Sequence, residues 1–296
     1  MIKLIVSDMD GTLLNENMEI TDASASAIKR AQERGIHFAI ATGRDYPMAA
    51  PLLKEHNIIC PLIAQNGGQY FDGTGQNIYN IGLEKKTVRE LLSVFSQHDD
   101  LHEELMTSKG VFSDNQDQRE EMLASMLSDM NPDITFEQAV DIAQQRVEEM
   151  PITFVDNYAD VIDDQSTVIF KVSVHSKKGK ELLLPLKEKL NAQIKNLSVT
   201  ASSERNLEIN HLGAQKGLAV ARLARRLNLK ANQVMTLGDN INDLSMLEWA
   251  KYSVAMKNAV PEAKKAARLE TASNRENGVA EMITKVLNGK IYQQDR

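Results

Sequence analysis

The chain has 296 residues, 42% hydrophobic and 25% charged, enough apolar material for one large core and a second, smaller one. A formal net charge of −7 argues against a broad nucleic-acid surface, which needs clustered Lys and Arg. No run approaches 18 continuous apolar residues, the amino terminus reads directly into a strand, and the lone Cys60 has no partner for an internal disulfide, so the cytoplasm is the expected compartment.

The first 83 residues alternate strand and helix. Lys3–Ser7 reads as a strand, and Thr21 caps a helix that runs to Arg34, with Gly35 closing it. His37–Ala41 is a second strand, followed by the turn Thr42-Gly43-Arg44 and a helix from Tyr46 to Glu55. Pro61–Gln65 is a third strand, and Asn66-Gly67-Gly68 opens a hairpin, Gln69–Phe71 against Asn77–Asn80. This β-α-β-α-β order predicts an α/β fold with a parallel sheet covered on both faces.

Past Gly82 the pattern changes. A helix carrying Val88, Leu91, Leu92 and Phe95 precedes short strands near Leu101–Met106 and Val111–Phe112, then helices near Gln118–Met130 and Phe136–Val147. Val168–His175 alternates strongly as a strand, Lys180–Leu190 is a helix, and Leu197–Ala201 another strand. Alternation resumes near Asn206, with helix Gln215–Leu227, strand Val234–Leu237, helix Asn240–Leu247, strand Tyr252–Ala255, a helix from Pro261 and a last helix Gly278–Leu287. The expected organisation is a discontinuous core, 1–83 and 200–296, carrying an inserted α+β module over 84–199.

Four groups of residues stand just past a core strand or at a helix start. Asp8-Met9-Asp10-Gly11-Thr12 follows Leu4-Ile5-Val6; Thr42-Gly43 follows the second strand; Lys216-Gly217 opens a helix; and Gly238-Asp239-Asn240-Ile241-Asn242-Asp243 follows Val234–Leu237. In an open parallel sheet, ligands bind outside the carboxyl ends of the strands, so these groups are expected to converge. A phosphate dianion meeting a carboxylate at 4 Å is repelled by about 1 kcal/mol in water and about 4 at an effective dielectric of 20, so such a site needs cations. Asp8 and Asp239 suit Mg²⁺, and Lys216 can neutralise a phosphoryl oxygen. Thr42, the Gly43 amide and Asn242 can hydrogen-bond a transferring group.

These four blocks, in this order, resemble the haloacid-dehalogenase superfamily, and the long module between the second and third points to its Cof-like branch with a type IIB (C2B) cap. Leu207-Glu208-Ile209 shortly before Lys216 adds to the likeness, which covers essentially the whole chain. The resemblance implies a Rossmann-like core and an Mg²⁺-dependent phosphatase acting through an aspartyl-phosphate. It casts Asp8 as nucleophile and Asp10 as general acid and base. Asp8, Asp239 and the Asp10 carbonyl would hold Mg²⁺. The Met9 backbone, Thr42, Gly43, Lys216 and Asn242 would hold the phosphoryl group, with Asp243 supporting metal and lysine from behind.

The substrate it implies is a small phosphorylated metabolite, a sugar phosphate or a phosphorylated cofactor, with no nucleic-acid or membrane partner and a monomer or homodimer as the assembly. Two readings compete with it: a phosphomutase of the same superfamily, and a non-catalytic metabolite sensor on this scaffold. Individually the residues have plainer explanations. An Asp after a strand is commonly a turn or cap residue, and Arg44 can equally be an ordinary salt-bridged arginine.

Overall fold

The computed structural model describes residues 1–130, 134–201 and 204–293. Backbone contacts divide the chain into two compact units, Met1–Asn80 with Gly213–Arg296, and Ile81–Leu212.

In chain order, β1 (Leu4–Ser7) passes through a tightly wound turn, Met9–Leu13, toward α1 (Asp22–Glu33). The Thr21 hydroxyl caps α1 by accepting from the Ser24 N–H at 3.2 Å. β2 (His37–Ala41), α2 (Tyr46–Glu55) and β3 (Leu62–Ala64) follow, and then the antiparallel pair β4 (Gln69–Phe71) and β5 (Asn77–Asn80).

The inserted unit begins with α3 (Lys85–Phe95), β6 (Leu101–Thr107), β7 (Gly110–Ser113), α4 (Gln116–Met130) and α5 (Phe136–Glu149). It continues with β8 (Ile152–Phe154), α6 (Ala159–Asp163), β9 (Ile169–Ser176), α7 (Lys180–Gln193), β10 (Leu197–Thr200) and β11 (Asn206–His211). Its sheet runs β10-β11-β9-β6-β7-β8 and is antiparallel except where β7 meets β8. Alternate residues Leu105, Val172, Val174, Leu207 and Ile209 pack with Val88, Leu91 and Phe95 of α3 and Leu183, Leu186 and Leu190 of α7. The intervening positions are polar yet buried, among them His102, Glu104, Lys171, Ser173 and Glu208. Buried polar groups normally need partners, and part of this set has them, although the His102 ring nitrogens and Glu104 Oε1 make no hydrogen bond. Lys171 Nζ donates to Glu208 Oε1 at 2.9 Å, and Arg119 of α4 reaches Glu104 Oε2 at 3.3 Å.

Two features differ from the sequence expectation. The boundaries at 83/84 and 199/200 move to 80/81 and 212/213. The second shift has a clear cause: β11 pairs on both edges inside the antiparallel sheet, with β9 and β10, so it belongs to the inserted unit and not to the core.

The chain returns through α8 (Lys216–Arg226), β12 (Val234–Gly238), α9 (Leu244–Trp249), β13 (Tyr252–Met256), α10 (Pro261–Ala266), β14 (Leu269–Thr271) and α11 (Gly278–Leu287). The core sheet has the order β14-β13-β12-β1-β2-β3-β4-β5 and is parallel from β14 through β3. Its central strands are nearly continuous apolar runs because both faces are covered. Ile5, Phe38, Ile40, Met235 and Leu237 pack on α1 and α11, whereas Leu4, Val6, Ala39 and Val234 pack on α8. β1 sits between β2 and β12, where the direction of strand progression reverses. The segments after β1, β2 and β12 therefore meet at one edge of the sheet.

Candidate active site

Asp8 lies one residue past β1, held by its own N–H donating to the Leu237 carbonyl of the neighbouring strand at 3.0 Å. Lys216, the first residue of α8, is completely buried, and its Nζ donates to Asp8 Oδ1 at 2.7 Å and Asp243 Oδ1 at 2.6 Å. The other oxygen of Asp243 accepts from the Asp239 and Asn240 N–H groups at 2.8 and 3.0 Å, so this carboxylate clasps both the lysine and the turn after β12. Asp239 Oδ1 in turn accepts from the Thr12 hydroxyl at 2.8 Å.

Two glycines make this closeness possible. Gly11 has φ +72, and a Cβ there would stand 2.4 Å from Asp239 Oδ2. At Gly238 a Cβ would lie 2.6 Å from the Asp243 side chain. The DGT and GD sequences are thus space requirements as much as turn signals.

The electrostatics are unbalanced. One oxygen each from Asp8, Asp239 and Asp243 lies within 4.8 Å of the others, against the single Lys216 ammonium. Burial, then the Asp243 charge, push the Asp8 carboxyl well above its ordinary range despite Lys216. Burial and Asp243 likewise push Asp239 up to about 6. Burial alone would lower the Lys216 ammonium, but Asp243 and Asp8 override it and hold it above its ordinary value, so the lysine stays charged.

With all four groups ionised, three carboxylates and one ammonium leave an excess of two negative charges. This donor set fits a hard divalent cation, since carboxylate oxygens converge where positive charge is missing. Asp243 accepts three hydrogen bonds, while Asp8 accepts from Lys216 and Asp239 from Thr12.

A second cluster borders the first. Thr42 is fully buried after β2, its N–H donating to Ile63 O at 2.8 Å and its carbonyl accepting from the Asn66 N–H at 2.9 Å. Asn242 Nδ2 donates to Asn66 Oδ1 at 3.1 Å. A Cβ on Gly43 would sit 3.2 Å from that same Asn66 oxygen and 3.7 Å from Asn242 Nδ2, so Gly43, Asn66 and Asn242 form one contact group. Met9 gives its side chain to the core, so only its backbone is available to the site.

Most of the residues expected from the sequence are therefore brought together. Asp10 is the exception in detail. Its side chain is outside the Asp8–Asp239–Asp243 cluster and is gripped by Arg44, which contacts it through Nε at 3.1 and 2.8 Å and through Nη2 at 2.6 Å. Hydrogen bonding to Asp10 holds the Arg44 guanidinium above its ordinary value.

Thr12 and Asn66 gained no role in the sequence reading. Thr12 closes the group that follows β1, and Asn66 directly follows Gln65 just past β3, the same strand-end location that singled out the others. The strand-end rule, applied to β3 as well, would have found Asn66. By its neighbours Gly67 and Gly68 it reads as a turn residue, and it is one, with φ +56.

This constellation belongs to a known class: the family profile of haloacid dehalogenase-like hydrolases matches residues 5–283, and the chain is a member of that family. Among curated relatives, the 5-amino-6-(5-phospho-D-ribitylamino)uracil phosphatase YwtE of Bacillus subtilis is 31% identical over 98% of this chain and 99% of its own length. Phosphatase YwpJ of the same organism is 28% identical over 97% of this chain and 100% of its own length. A solved haloacid dehalogenase-like hydrolase from B. subtilis superposes with a TM-score of 0.82 at 27% identity, covering 96% of this chain and 99% of that one. Among the described residues, no helix is long and apolar enough to cross a membrane.

Proposed function

We propose that the protein is a cytoplasmic Mg²⁺-dependent phosphatase that hydrolyses small phosphorylated metabolites through an aspartyl-phosphate on Asp8. The observation that carries this reading is the buried Asp8–Lys216–Asp243 clasp beside Asp239, a carboxylate nucleophile with an excess of negative charge around it. Asp8 attacks phosphorus while the bond to the leaving oxygen breaks, and Asp10 gives that oxygen a proton. Asp10 then takes a proton from water as the water attacks the phosphorus of the acyl phosphate, releasing phosphate and restoring Asp8.

Lys216, Thr42, the Met9 and Gly43 amides and Asn242 hold the phosphoryl oxygens, where their donors act on charge that develops during transfer. Asp243 keeps Lys216 charged and aimed at Asp8. Asp8, Asp239 and the Asp10 carbonyl would hold Mg²⁺, which supplies the positive charge that the site lacks.

Two of the relatives are named for an ester of a ribityl chain, a primary alkyl phosphate, which supports a sugar-phosphate-like substrate. The test is phosphate release from p-nitrophenyl phosphate. Turnover is expected with Mg²⁺ and not with EDTA, and Asp8→Asn turning over at the wild-type rate would overturn the mechanism.

A further inference from the structure

We infer that Arg44 is a positioning residue for the departing alcohol: it fixes the bearing of the Asp10 carboxylate so that the exposed edge of that group meets the leaving-group oxygen. This rests on the reading of Asp10 as general acid and base.

The geometry is specific. Arg44 Nε approaches both Asp10 oxygens, at 3.1 and 2.8 Å, and Nη2 approaches Oδ1 at 2.6 Å, a fork onto a fork that fixes the carboxylate plane as well as its distance. The arginine is itself fixed at its root. Its N–H donates to Thr42 Oγ1 at 3.1 Å, and its carbonyl accepts from the Gln65 N–H at 2.9 Å. The Arg44 side chain is 15% exposed and that of Asp10 is 45% exposed. The guanidinium thus covers one edge of the carboxylate and leaves another open.

Arg44 is therefore a strut between the turn after β2, which carries Thr42 and Gly43, and the turn after β1, which carries Asp8. Without it Asp10 hangs from a backbone that is extended at Asp10 (φ −71, ψ 126) and left-handed at Gly11, and among the described residues only Arg44 hydrogen-bonds its carboxylate. A free carboxylate spends less time in the geometry that proton transfer needs. Lysine cannot replace this function, because a single ammonium fixes distance but not plane.

The consequence falls on leaving groups that need a proton. Nitrophenolate departs with little help, whereas phenolate depends more on the acid. The test is kcat/KM for a series of substituted phenyl phosphates, from p-nitrophenyl to unsubstituted phenyl, in wild type, Arg44→Ala and Arg44→Lys, with Asp8→Asn in parallel. Positioned acid–base groups contribute about 10²- to 10⁴-fold, so losing the positioning should cost phenyl phosphate at least about tenfold more than p-nitrophenyl phosphate in Arg44→Ala. Arg44→Lys should stay near Arg44→Ala, and millimolar guanidinium should restore part of the phenyl phosphate rate in Arg44→Ala.

An unchanged leaving-group slope in both Arg44 variants, full rescue by Lys, or faster phenyl phosphate turnover would overturn the inference. If Arg44→Ala does not fold, the slope of Arg44→Lys decides. Because Asp8→Asn is measured alongside, a failure of the phosphatase reading (turnover without Asp8) is distinct from a failure of the Arg44 inference (no turnover without Asp8, slope unchanged).

Discussion

Replacing Asp239 by Asn should make the metal-free protein more stable at neutral pH while destroying its response to Mg²⁺. In the absence of a cation, burial and Asp243 push the Asp239 carboxyl from 3.8 up to about 6. Roughly two pKa units at about 1.4 kcal/mol each correspond to a cost on the order of 3 kcal/mol for ionising it in the folded state. The sign follows from proton counting. Below about pH 4 the carboxyl is protonated folded and unfolded, and there is no cost. Between about pH 4 and 6 the unfolded chain releases a proton that the folded chain retains, so stability falls as pH rises, and above about 6 the full cost applies.

Asparagine carries no charge, and its oxygen can still accept from Thr12, but its new N–H groups need partners. A net gain of about 1–3 kcal/mol is therefore expected near pH 7.5, shrinking toward pH 4. At about 2–4 °C per kcal/mol this is a rise of several degrees in Tm, measured in EDTA by calorimetry. Mg²⁺ at about 100 times its Kd should then stabilise wild type by about 2.7 kcal/mol and leave the variant nearly unmoved, closing or reversing the gap between them. A variant less stable than wild type in EDTA at pH 7.5, or one stabilised equally by Mg²⁺, would refute the charge argument.

Other perturbations test neighbouring parts of the account. Gly238→Ala puts a Cβ 2.6 Å from Asp243, so the carboxylate must move off Lys216; stability should fall by about 1–3 kcal/mol and kcat by about tenfold or more, read by thermal melts and phosphate release. In the inserted unit, burial holds the His175 imidazole down at about 4, so the folded protein resists a proton that the unfolded chain takes up below about 6.5. Its contribution therefore makes stability fall with acid, by about 1–2 kcal/mol between pH 7 and 5, and denaturant melts of His175→Gln should show a flatter pH dependence than wild type.

Much of this was legible in the sequence where signals reinforced one another. Leu4-Ile5-Val6, the run from His37 to Ala41 and Val234–Leu237 are apolar enough to read as buried parallel strands, and Asp8, Thr42 and Asp239 follow from their carboxyl ends. The three-residue strands β8 and β14 escaped notice, because Ile152-Thr153-Phe154 and Leu269-Glu270-Thr271 are too short to establish a period. β11 alternates plainly at Leu207 and Ile209, yet alternation does not say which sheet supplies the partner, and this is why the core boundary moved.

At the site, residue types identified the donors but not their pairing. That Asp243 takes Lys216 and the backbone of its own turn, while Asp10 takes Arg44, depends on distances that no local pattern encodes.

The central claim is that Asp8 carries the phosphoryl group during turnover. The most direct measurement is to quench the working enzyme with borohydride, which reduces an acyl phosphate but spares a free carboxylate, and to map the modified peptide by mass spectrometry. Substrate-dependent reduction at position 8, absent in Asp8→Asn, is the predicted result. Steady turnover with no modification at Asp8, or with modification at another carboxylate, would contradict it.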